Sequence, residues 1–325
     1  MSSENPPRAI KLPKQHLRNL ATILLKLHPL HSSPLQPSTD CSSPIKIVCV
    51  SDTHNTQPVL PLGDILIHAG DLTENGSFDE IQAQLTWLSS QPHRHKVYVA
   101  GNHDVLLDEG FLEKYPERKY GQTQTMHHLN WGNVHYLRDS SVTFNFPPAK
   151  PNGENISGFT SRNLTIYGSP WTPQYGISAF QHPREQDNWT NRIPADSDIV
   201  VTHGPPRLHL DTRDFRHVGC PFLAQEIARV RPRIIVFGHI HASYGREDIV
   251  LNSVRRAYEE ILNDWAGWEA MCRMGFGIFL ARIRAIFTTK EKMIKAERIT
   301  AFVNAAIVGG IKNQLQNQPI IVELQ

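Results

Sequence analysis

Metal-capable side chains stand in five short clusters along this sequence of 325 residues. Each cluster directly follows a run of apolar residues, and four of the five contain a glycine. Imidazole nitrogens and carboxylate or amide oxygens are ligands for divalent ions such as Mn²⁺, Fe²⁺ and Zn²⁺. The residue types therefore predict a metal centre, and its candidate ligands are Asp52, His54, Asp71, Asn102, His203, His239 and His241.

The order of the clusters is more informative than any one of them. A lone Asp-x-His or His-x-His pair is weak support for a metal site, whereas five clusters at the ends of predicted strands are improbable as coincidence. In α/β sheets, ligands bind in the loops beyond the carboxyl ends of strands, so the five ends predict one pocket. Asp71 lies centrally among the candidates, and a carboxylate can bridge two ions. The glycine before Asp71 lets the backbone turn sharply there.

The elements that must position these clusters are short runs of β-branched residues, which predict strands buried on both faces. Helical patterns alternate with the runs: Ser77-Phe-Asp-Glu80 is a capping box, and 221–230 predicts a second helix. Because an irregular stretch over 105–162 separates two series of strands, we expect an α/β fold with two face-to-face sheets and outer helices. The predicted strands are 46–50, 65–69, 96–100, 164–167, 199–202, 234–237, 301–308 and 320–324.

The chain ends carry a different pattern from the middle. The sequence predicts a tail and linker over 1–44, in which 32–44 is rich in Ser and Pro, and a folded domain over 45–325. The segment 8–31 is basic and contains no acidic residue. It fits either a short amphipathic helix packed on the domain or a mitochondrial transit peptide.

A helical insertion is predicted over about 253–298, near the C-terminus. Within it, 269–287 mixes apolar residues with arginines and is a poor transmembrane span. Two interpretations stay open for this stretch. It packs against the domain or a second subunit, or it forms an interfacial helix in contact with a membrane.

Composition restricts the classes of partner. Lys and Arg number 33 and Asp and Glu number 31, so the net charge of +2 gives no electrostatic argument for nucleic-acid binding, and none is expected. The cysteines are scattered and include no CxxC pair, which favours reduced thiols and a cytoplasmic location. The alternative is a mitochondrial location through the basic N-terminal segment. These cysteines are Cys41, Cys49, Cys220 and Cys272.

Taken together, the motifs Asp-x-His, Gly-Asp, Gly-Asn-His-Asp, His-Gly and Gly-His-x-His resemble the calcineurin-like metallophosphoesterase superfamily. The stretches 167–173 and 203–206 and the late Asn304-Ala-Ala resemble its metallophosphoesterase-domain-containing (MPPED) branch. The resemblance covers 45–245 well and 300–325 loosely. It implies a four-layer αββα sandwich of two mixed sheets flanked by helices.

The resemblance also implies roles for individual residues. One metal ion would be held by Asp52, His54, Asp71 and His241, and the second by Asp71, Asn102, His203 and His239. His103 would face the substrate as general acid, and Asp104 would complete this catalytic pair by orienting the loop. Purple acid phosphatases carry a tyrosine ligand three residues after the bridging aspartate. Glu74 stands at that position here, so no tyrosinate–iron site is expected.

The implied activity is that of a phosphoesterase with two divalent ions, Mn, Fe or Zn, whose bridging hydroxide attacks phosphorus while His103 protonates the leaving oxygen. A small phosphate ester or nucleotide is the expected substrate, and a phosphodiester is favoured. A phosphomonoesterase and a nucleotide-binding or scaffold protein with negligible turnover are the alternatives. Three aromatic residues either stack on a base or pack beneath a loop: Trp171, Tyr175 and Phe180.

Overall fold

The computed structural model describes residues 14–30, 44–147, 161–289, 292–293, 297–310 and 313–324. The chain divides into two compact units. One comprises Met1–Leu35 and Val250–Arg298, and the other comprises Gln36–Ile249 and Ile299–Gln325. The predicted linker 32–44 lies outside the described residues except for its last position. The predicted boundaries of the tail and the domain stay predictions.

The first sheet of the larger unit has the strand order β17-β1-β2-β3-β4. Strands β1 to β4 are mutually parallel, and β17 pairs antiparallel with β1. The sheet is therefore mixed, as predicted. Its strands are β1 Ile45–Val50, β2 Ile65–His68, β3 His95–Tyr98, β4 Val134–Tyr136 and β17 Ile320–Leu324.

The second sheet has the order β13-β14-β12-β9-β6-β5. Its strands from β14 to β6 are parallel, while β5 pairs antiparallel with β6. Its strands are β5 Ser140–Phe146, β6 Arg162–Ser169, β9 Ile199–Thr202, β12 Ile234–Phe237, β13 Gly245–Val250 and β14 Ile299–Asn304. Two-residue ladders occur in the loops: β7 Thr172–Pro173 with β8 Gln181–His182, β10 Thr212–Arg213 with β11 Arg216–His217, and β15 Val308–Gly309 with β16 Gln314–Leu315.

The two sheets pack face to face over an apolar core. Alternation along β1 divides its side chains: Ile47 and Cys49 enter the cluster between the sheets, whereas Val48 and Val50 enter the cluster on the outer face. Helix α2, Phe78–Ser90, packs into that outer cluster and begins at the predicted capping box. The larger unit also contains helix α3, Glu109–Lys114, and helix α4, Pro221–Val230. Helix α4 connects the parallel strands β9 and β12. The predicted α/β fold, with two mixed sheets and flanking helices, is confirmed.

The smaller unit is helical in its described part. It contains α1 Lys14–Leu25, α5 Ser253–Leu262 and α6 Trp268–Phe287. The three helices share one apolar cluster, and Arg18 forms an ion pair with Asp264 at 2.7 Å. Within the described ranges, no helix combines the length and the apolar content that crossing a membrane requires.

The described cysteines are Cys49 and Cys220, which are buried, and Cys272, which is exposed. All three are free thiols. Cys41 lies outside the described residues. The cytoplasmic location, and the mitochondrial alternative based on 8–31, stay predictions.

Candidate metal centre

The predicted ligands come together at one edge of the two sheets. Each follows the carboxyl end of β1, β2 or β3 in the first sheet, or of β9 or β12 in the second. The loops supply Asp52 and His54 after β1, Asp71 after β2, Asn102 after β3, His203 after β9, and His239 and His241 after β12. All seven residues share one site, and their role as ligands stays a prediction.

Backbone strain accompanies this placement. None of the seven residues is glycine, yet four of them have left-handed φ values: 54° at Asp52, 42° at His54, 50° at Asp71 and 67° at His239. Such conformations cost about 1–3 kcal/mol each and persist only where the surrounding structure imposes them. Gly101 permits a further close approach, because a Cβ there would lie 2.2 Å from the Asp71 carboxylate. The loops are thus built to bring polar atoms together at the expense of local stability.

The first group of donors is Asp52, His54 and His241. His241 Nε2 lies 3.1 Å from Asp52 Oδ1, and the buried Asp52 carboxylate also accepts a hydrogen bond from the His239 backbone N–H. His54 is buried; its Nδ1 lies 3.1 Å from Glu74 Oε2 without hydrogen-bond geometry, and its Nε2 has no hydrogen-bond partner. Buried polar atoms without partners are rare and call for an explanation. A metal ion accepting the His54 lone pair provides one.

The second group contains Asp71, His203 and His239, with Asn102 beside them. His203 Nδ1 contacts the Ala69 carbonyl at 3.0 Å, so Nδ1 carries the proton and neutral His203 presents a lone pair at Nε2. That nitrogen lies 3.3 Å from Asp71 Oδ2 and 3.1 Å from Asn102 Oδ1. Neutral His203 would place three acceptor atoms together, and the arrangement becomes favourable when Nε2 carries a proton or when a metal ion binds there instead.

Asp71 connects the two groups. Its Oδ2 lies 3.3 Å from His203 Nε2 and 3.9 Å from His54 Nε2, while its Oδ1 accepts a hydrogen bond from the His103 backbone N–H at 2.8 Å. Bonds of about 2.0–2.2 Å from an ion to nitrogen or oxygen leave ligand atoms separated by distances of this size. The donor set thus fits two divalent ions with Asp71 shared between them.

The charges of the site are strongly coupled. Burial raises the pKa of Asp71, but the positive charges of His203 and His103 outweigh burial and hold that pKa well below its usual value. Burial lowers the pKa of His203, but attraction to Asp71 dominates and raises the pKa to about 9. Burial lowers the pKa of His239 to about 3. Without metal, a proton on His203 supplies the cation that the acceptors require, and a divalent ion would replace it.

His103 lies beside the ligands and lines the cleft. Its Nδ1 donates to the Glu74 carbonyl at 2.7 Å, and its ring meets the His54 ring edge-on at 4.8 Å. Burial opposes its protonation, but the negative charge of Asp71 and the hydrogen bond to Glu74 raise its pKa above the ordinary value. This geometry fixes the ring and leaves Nε2 for a ligand.

Asp104 is fully buried and does not line the cleft. Its carboxylate accepts hydrogen bonds from the backbone N–H groups of Gly101 at 2.7 Å, Leu72 at 3.2 Å and Thr73 at 3.0 Å. These contacts join the loop after β2 to the loop after β3. Asp104 therefore holds the two loops together, and its orienting role in catalysis stays a prediction.

The cleft over the metal centre has a volume of about 410 Å³. Of the three aromatic residues considered for substrate contact, Tyr175 lines it and is 56% exposed. The two others do not reach it, which corrects the stacking interpretation. Phe180 is fully buried, and Trp171 packs beside it while donating from Nε1 to Asp139 at 2.9 Å. Their apolar surfaces pack beneath the loop, which is the alternative role.

Sequence reasoning missed part of the cleft. Arg213, Asn313 and Gln316 line it, and the Arg213 guanidinium lies 4.9 Å from the centre of the Tyr175 ring. Glu74 was considered only as the replacement for a tyrosine. Its Oε2 lies 3.1 Å from His54 Nδ1 and accepts a hydrogen bond from Asn313 at 3.2 Å. The spacing of three residues from Asp71 was the available signal for Glu74.

Comparison with known proteins adds to this geometry. Residues 45–243 match the family model described as calcineurin-like phosphoesterase. Metallophosphoesterase domain-containing protein 1 of Homo sapiens is 37% identical over 233 residues, which cover 66% of this chain and 64% of that protein. UPF0046 protein K07C11.7 of Caenorhabditis elegans is 33% identical over 215 residues, which cover 64% of this chain and 68% of that protein.

A further relative is much longer than this chain. The probable rhamnogalacturonate lyase C of Emericella nidulans is 38% identical over 283 residues, which cover 86% of this chain and 24% of that protein. This chain thus spans about a quarter of the lyase and just under two thirds of the human protein.

Proposed function

Because this chain belongs to the calcineurin-like phosphoesterase family, we propose that its metal centre hydrolyses phosphodiesters with His103 as the general acid. Family membership and the grouped His and Asp side chains support a metal-dependent phosphoesterase. The observation that carries the proposal is the convergence of His203 Nε2 with the oxygens of Asp71 and Asn102, where a divalent ion would replace the proton on Nε2.

The chain's own donors divide into two sets around Asp71. One ion would be held by Asp52, His54, Asp71 and His241, and the other by Asp71, Asn102, His203 and His239. When bound, the two ions supply positive charge for the phosphoryl oxygens and acidify water. The identity of the ions, Mn, Fe or Zn, is left to measurement.

His103 is suited to protonate the leaving oxygen. The hydrogen bond from its Nδ1 to the Glu74 carbonyl fixes the ring, and the hydrogen bond from its backbone to Asp71 fixes the residue against the shared ligand. Nε2 is then the ring nitrogen available in the cleft. A positioned acid of this kind contributes about 10²–10⁴-fold to the rate.

The lining of the cleft supports a diester. Asn313 lies by the first group of donors, because it donates to Glu74, which contacts His54. Tyr175 and Arg213 lie by the second group, because they line a smaller adjoining pocket together with His239. Both groups thus have polar or aromatic side chains beside them for an ester substituent. A diester carries two substituents, whereas a monoester has only one.

A nucleotide-like substituent fits best beside the second group of donors, at the end of the cleft lined by Tyr175 and Arg213. An exposed aromatic ring with an arginine over it offers a stacking face together with positive charge. We therefore propose a small nucleotide or aryl phosphodiester as the substrate. Binding of polymeric nucleic acid is not part of the proposal, since the chain is nearly neutral overall.

The test is a substrate panel on protein reconstituted separately with Mn²⁺, Zn²⁺, Fe²⁺ and Mg²⁺. The panel contains bis(p-nitrophenyl) phosphate, p-nitrophenyl phosphate and cyclic nucleotides. We expect diesters to have the higher kcat/KM with at least one metal. Exclusive hydrolysis of monoesters would replace the proposal with a phosphomonoesterase. Tight nucleotide binding without hydrolysis under every metal would favour the scaffold alternative.

A further inference from the structure

Helix α6 has two apolar faces, and only one of them is packed. The packed face buries Ala270, Met271, Met274 and Ile278 in the cluster shared with α1 and α5. The second face consists of exposed residues spaced at i, i+3, i+4, i+7, i+10 and i+11, which is one stripe of a helix. These residues, here called the outer stripe, are Phe276, Phe279, Leu280, Ile283, Ile286 and Phe287, between 39% and 82% exposed.

Arginines flank the outer stripe on both sides. At about 100° per residue, Arg284 falls along one border and Arg282 along the other; Arg273, near the first border, pairs with Glu260. No acidic residue occurs from 270 to 289. Apolar side chains bordered by arginines are typical of a helix that lies in the plane of a lipid headgroup layer. The long arginine side chains reach charged headgroups while the apolar residues between them enter the acyl boundary.

Helix α1 also combines exposed apolar residues with a lack of acidic residues. Leu20 and Ile23 are exposed and lie on one side of α1, and residues 14–30 contain no acidic residue. Arg282 Nε donates to the Leu27 carbonyl at 3.0 Å, which places the chain just after α1 beside the end of α6. Helix α1 thus adds exposed apolar residues to the unit, while its Lys14 and Arg18 pair with Asp264.

The charge pattern also distinguishes between occupants of the outer stripe. A second copy of this chain, paired through the same face, would bring two arginine borders together, and like charges would oppose that contact. An anionic lipid surface instead supplies negative charge along both borders. A membrane crossing is not required, and no described helix is suited to one.

We propose that the outer stripe of α6 docks the protein on the surface of an anionic lipid bilayer. The stripe inserts its phenylalanines and isoleucines at the acyl boundary, and Arg282 and Arg284 contact the headgroups. This association is peripheral and involves no residue of the metal centre.

The test is co-sedimentation of the full chain with vesicles. Wild-type protein should bind vesicles of phosphatidylcholine and phosphatidylserine at least about tenfold more tightly than vesicles of phosphatidylcholine alone, and high salt should weaken the binding. The combined change Phe279→Gln, Ile283→Gln and Ile286→Gln should weaken it at least about tenfold by removing apolar insertion. The combined change Arg282→Gln and Arg284→Gln should lose about fivefold per arginine on anionic vesicles only.

A matched control replaces exposed apolar residues elsewhere, Val59→Gln with Leu62→Gln, and should bind like wild type. All variants should keep wild-type hydrolysis of a soluble ester, which also shows that they fold. Failure of wild type to bind anionic vesicles would overturn the proposal, as would equal binding by the stripe variant. A dimer in lipid-free sedimentation velocity that the stripe variant abolishes would assign the face to a second copy instead.

Discussion

The metal centre and the outer stripe of α6 depart from ordinary burial in opposite directions. At the metal centre, carboxylates and imidazoles such as Asp52, Asp71 and His203 are buried where apolar residues are the norm. On α6, residues such as Phe279 and Ile286 are exposed where polar residues are the norm. Each departure costs free energy in the isolated chain, and each would be relieved by the partner proposed for it.

The difference lies in what relieves the cost. Three acceptors converging on one point need positive charge, either a proton on His203 or a metal ion, so the geometry of the metal centre restricts its ligand to a small cation. An apolar stripe is stabilised by any surface that removes it from water, so its shape alone does not identify the partner. The arginine borders supply the missing information. Buried polar atoms thus identify a small ion from geometry, whereas exposed apolar atoms need the surrounding charge pattern to be interpreted.

Replacing Asp71, the candidate ligand shared by both groups of donors, should have the largest effect. Asp71→Asn keeps the shape but removes the charge that joins both groups of donors. We expect the metal content to fall below two ions per chain and the rate to fall by about a thousandfold or more, corresponding to loss of about 4 kcal/mol of transition-state stabilisation. Asp211→Asn, at a buried carboxylate outside the cleft, is the control and should keep both ions. Retention of two ions by Asp71→Asn would contradict the bridging role.

His103→Ala separates acid catalysis from metal binding. The imidazole contacts the Glu74 carbonyl and the cleft, so its loss should leave both ions in place and lower the rate by about 10²–10⁴-fold. The loss should be greatest for esters with poor leaving groups, because these depend most on protonation. Kinetics on a series of aryl diesters measures this dependence. An equal loss for good and poor leaving groups would argue against His103 as the acid.

Glu74→Gln tests the support around the first group of donors. The carboxylate lies 3.1 Å from His54 Nδ1, and removing such an orienting charge typically costs about 10–100-fold in metal affinity. Titration calorimetry with Mn²⁺ on metal-free protein gives the affinity without reference to turnover. Glu109→Gln is the control, because Glu109 also lies beside a histidine, His127, but away from the cleft. Unchanged affinity in Glu74→Gln would limit Glu74 to its backbone contact with His103.

Tyr175→Ala should have the smallest effect. The Tyr175 ring is half exposed, and the Arg213 guanidinium covers one of its faces, which leaves the other face for a substituent. Loss of the ring should therefore raise KM by about fivefold, near 1 kcal/mol, with little change in kcat. Tyr120→Ala, at an exposed tyrosine outside the cleft, should leave KM unchanged. Steady-state kinetics on an aryl diester would distinguish the two. A fall in kcat with unchanged KM would place Tyr175 near the reacting atoms and away from the substituent.

The same contrast explains which parts of the fold the sequence could predict. Central strands were found because burial on both faces restricts them to apolar, β-branched residues: 46–50 was predicted for the strand observed at 45–50, and 199–202 was predicted as observed. In the two large sheets the strands missed are β4, β5 and β13, and all three are sheet edges; β17, also an edge, was found from its apolar run 320–324. Edge strands carry polar and charged residues that protect them from pairing, which removes the apolar signal.

The limits of prediction at the site have a similar cause. The seven ligand candidates lie in motifs, so their types and local spacing revealed them. Arg213 and Asn313 reach the cleft from loops with no such motif, and only the folded chain brings them there. Phe180 was assigned to the cleft because aromatic residues suit both stacking and packing, and the sequence does not distinguish the two.

Asn304 ends the predicted strand 301–308 early, because its side chain turns to donate to the Leu210 and Ile240 carbonyls.

The most direct test of the metal centre is elemental analysis of purified wild-type protein before and after chelation, combined with diester hydrolysis at each stage. We predict two divalent ions per chain, loss of hydrolysis when they are removed, and recovery when they are restored. A chain that hydrolyses diesters at the wild-type rate with one ion or none would contradict the account.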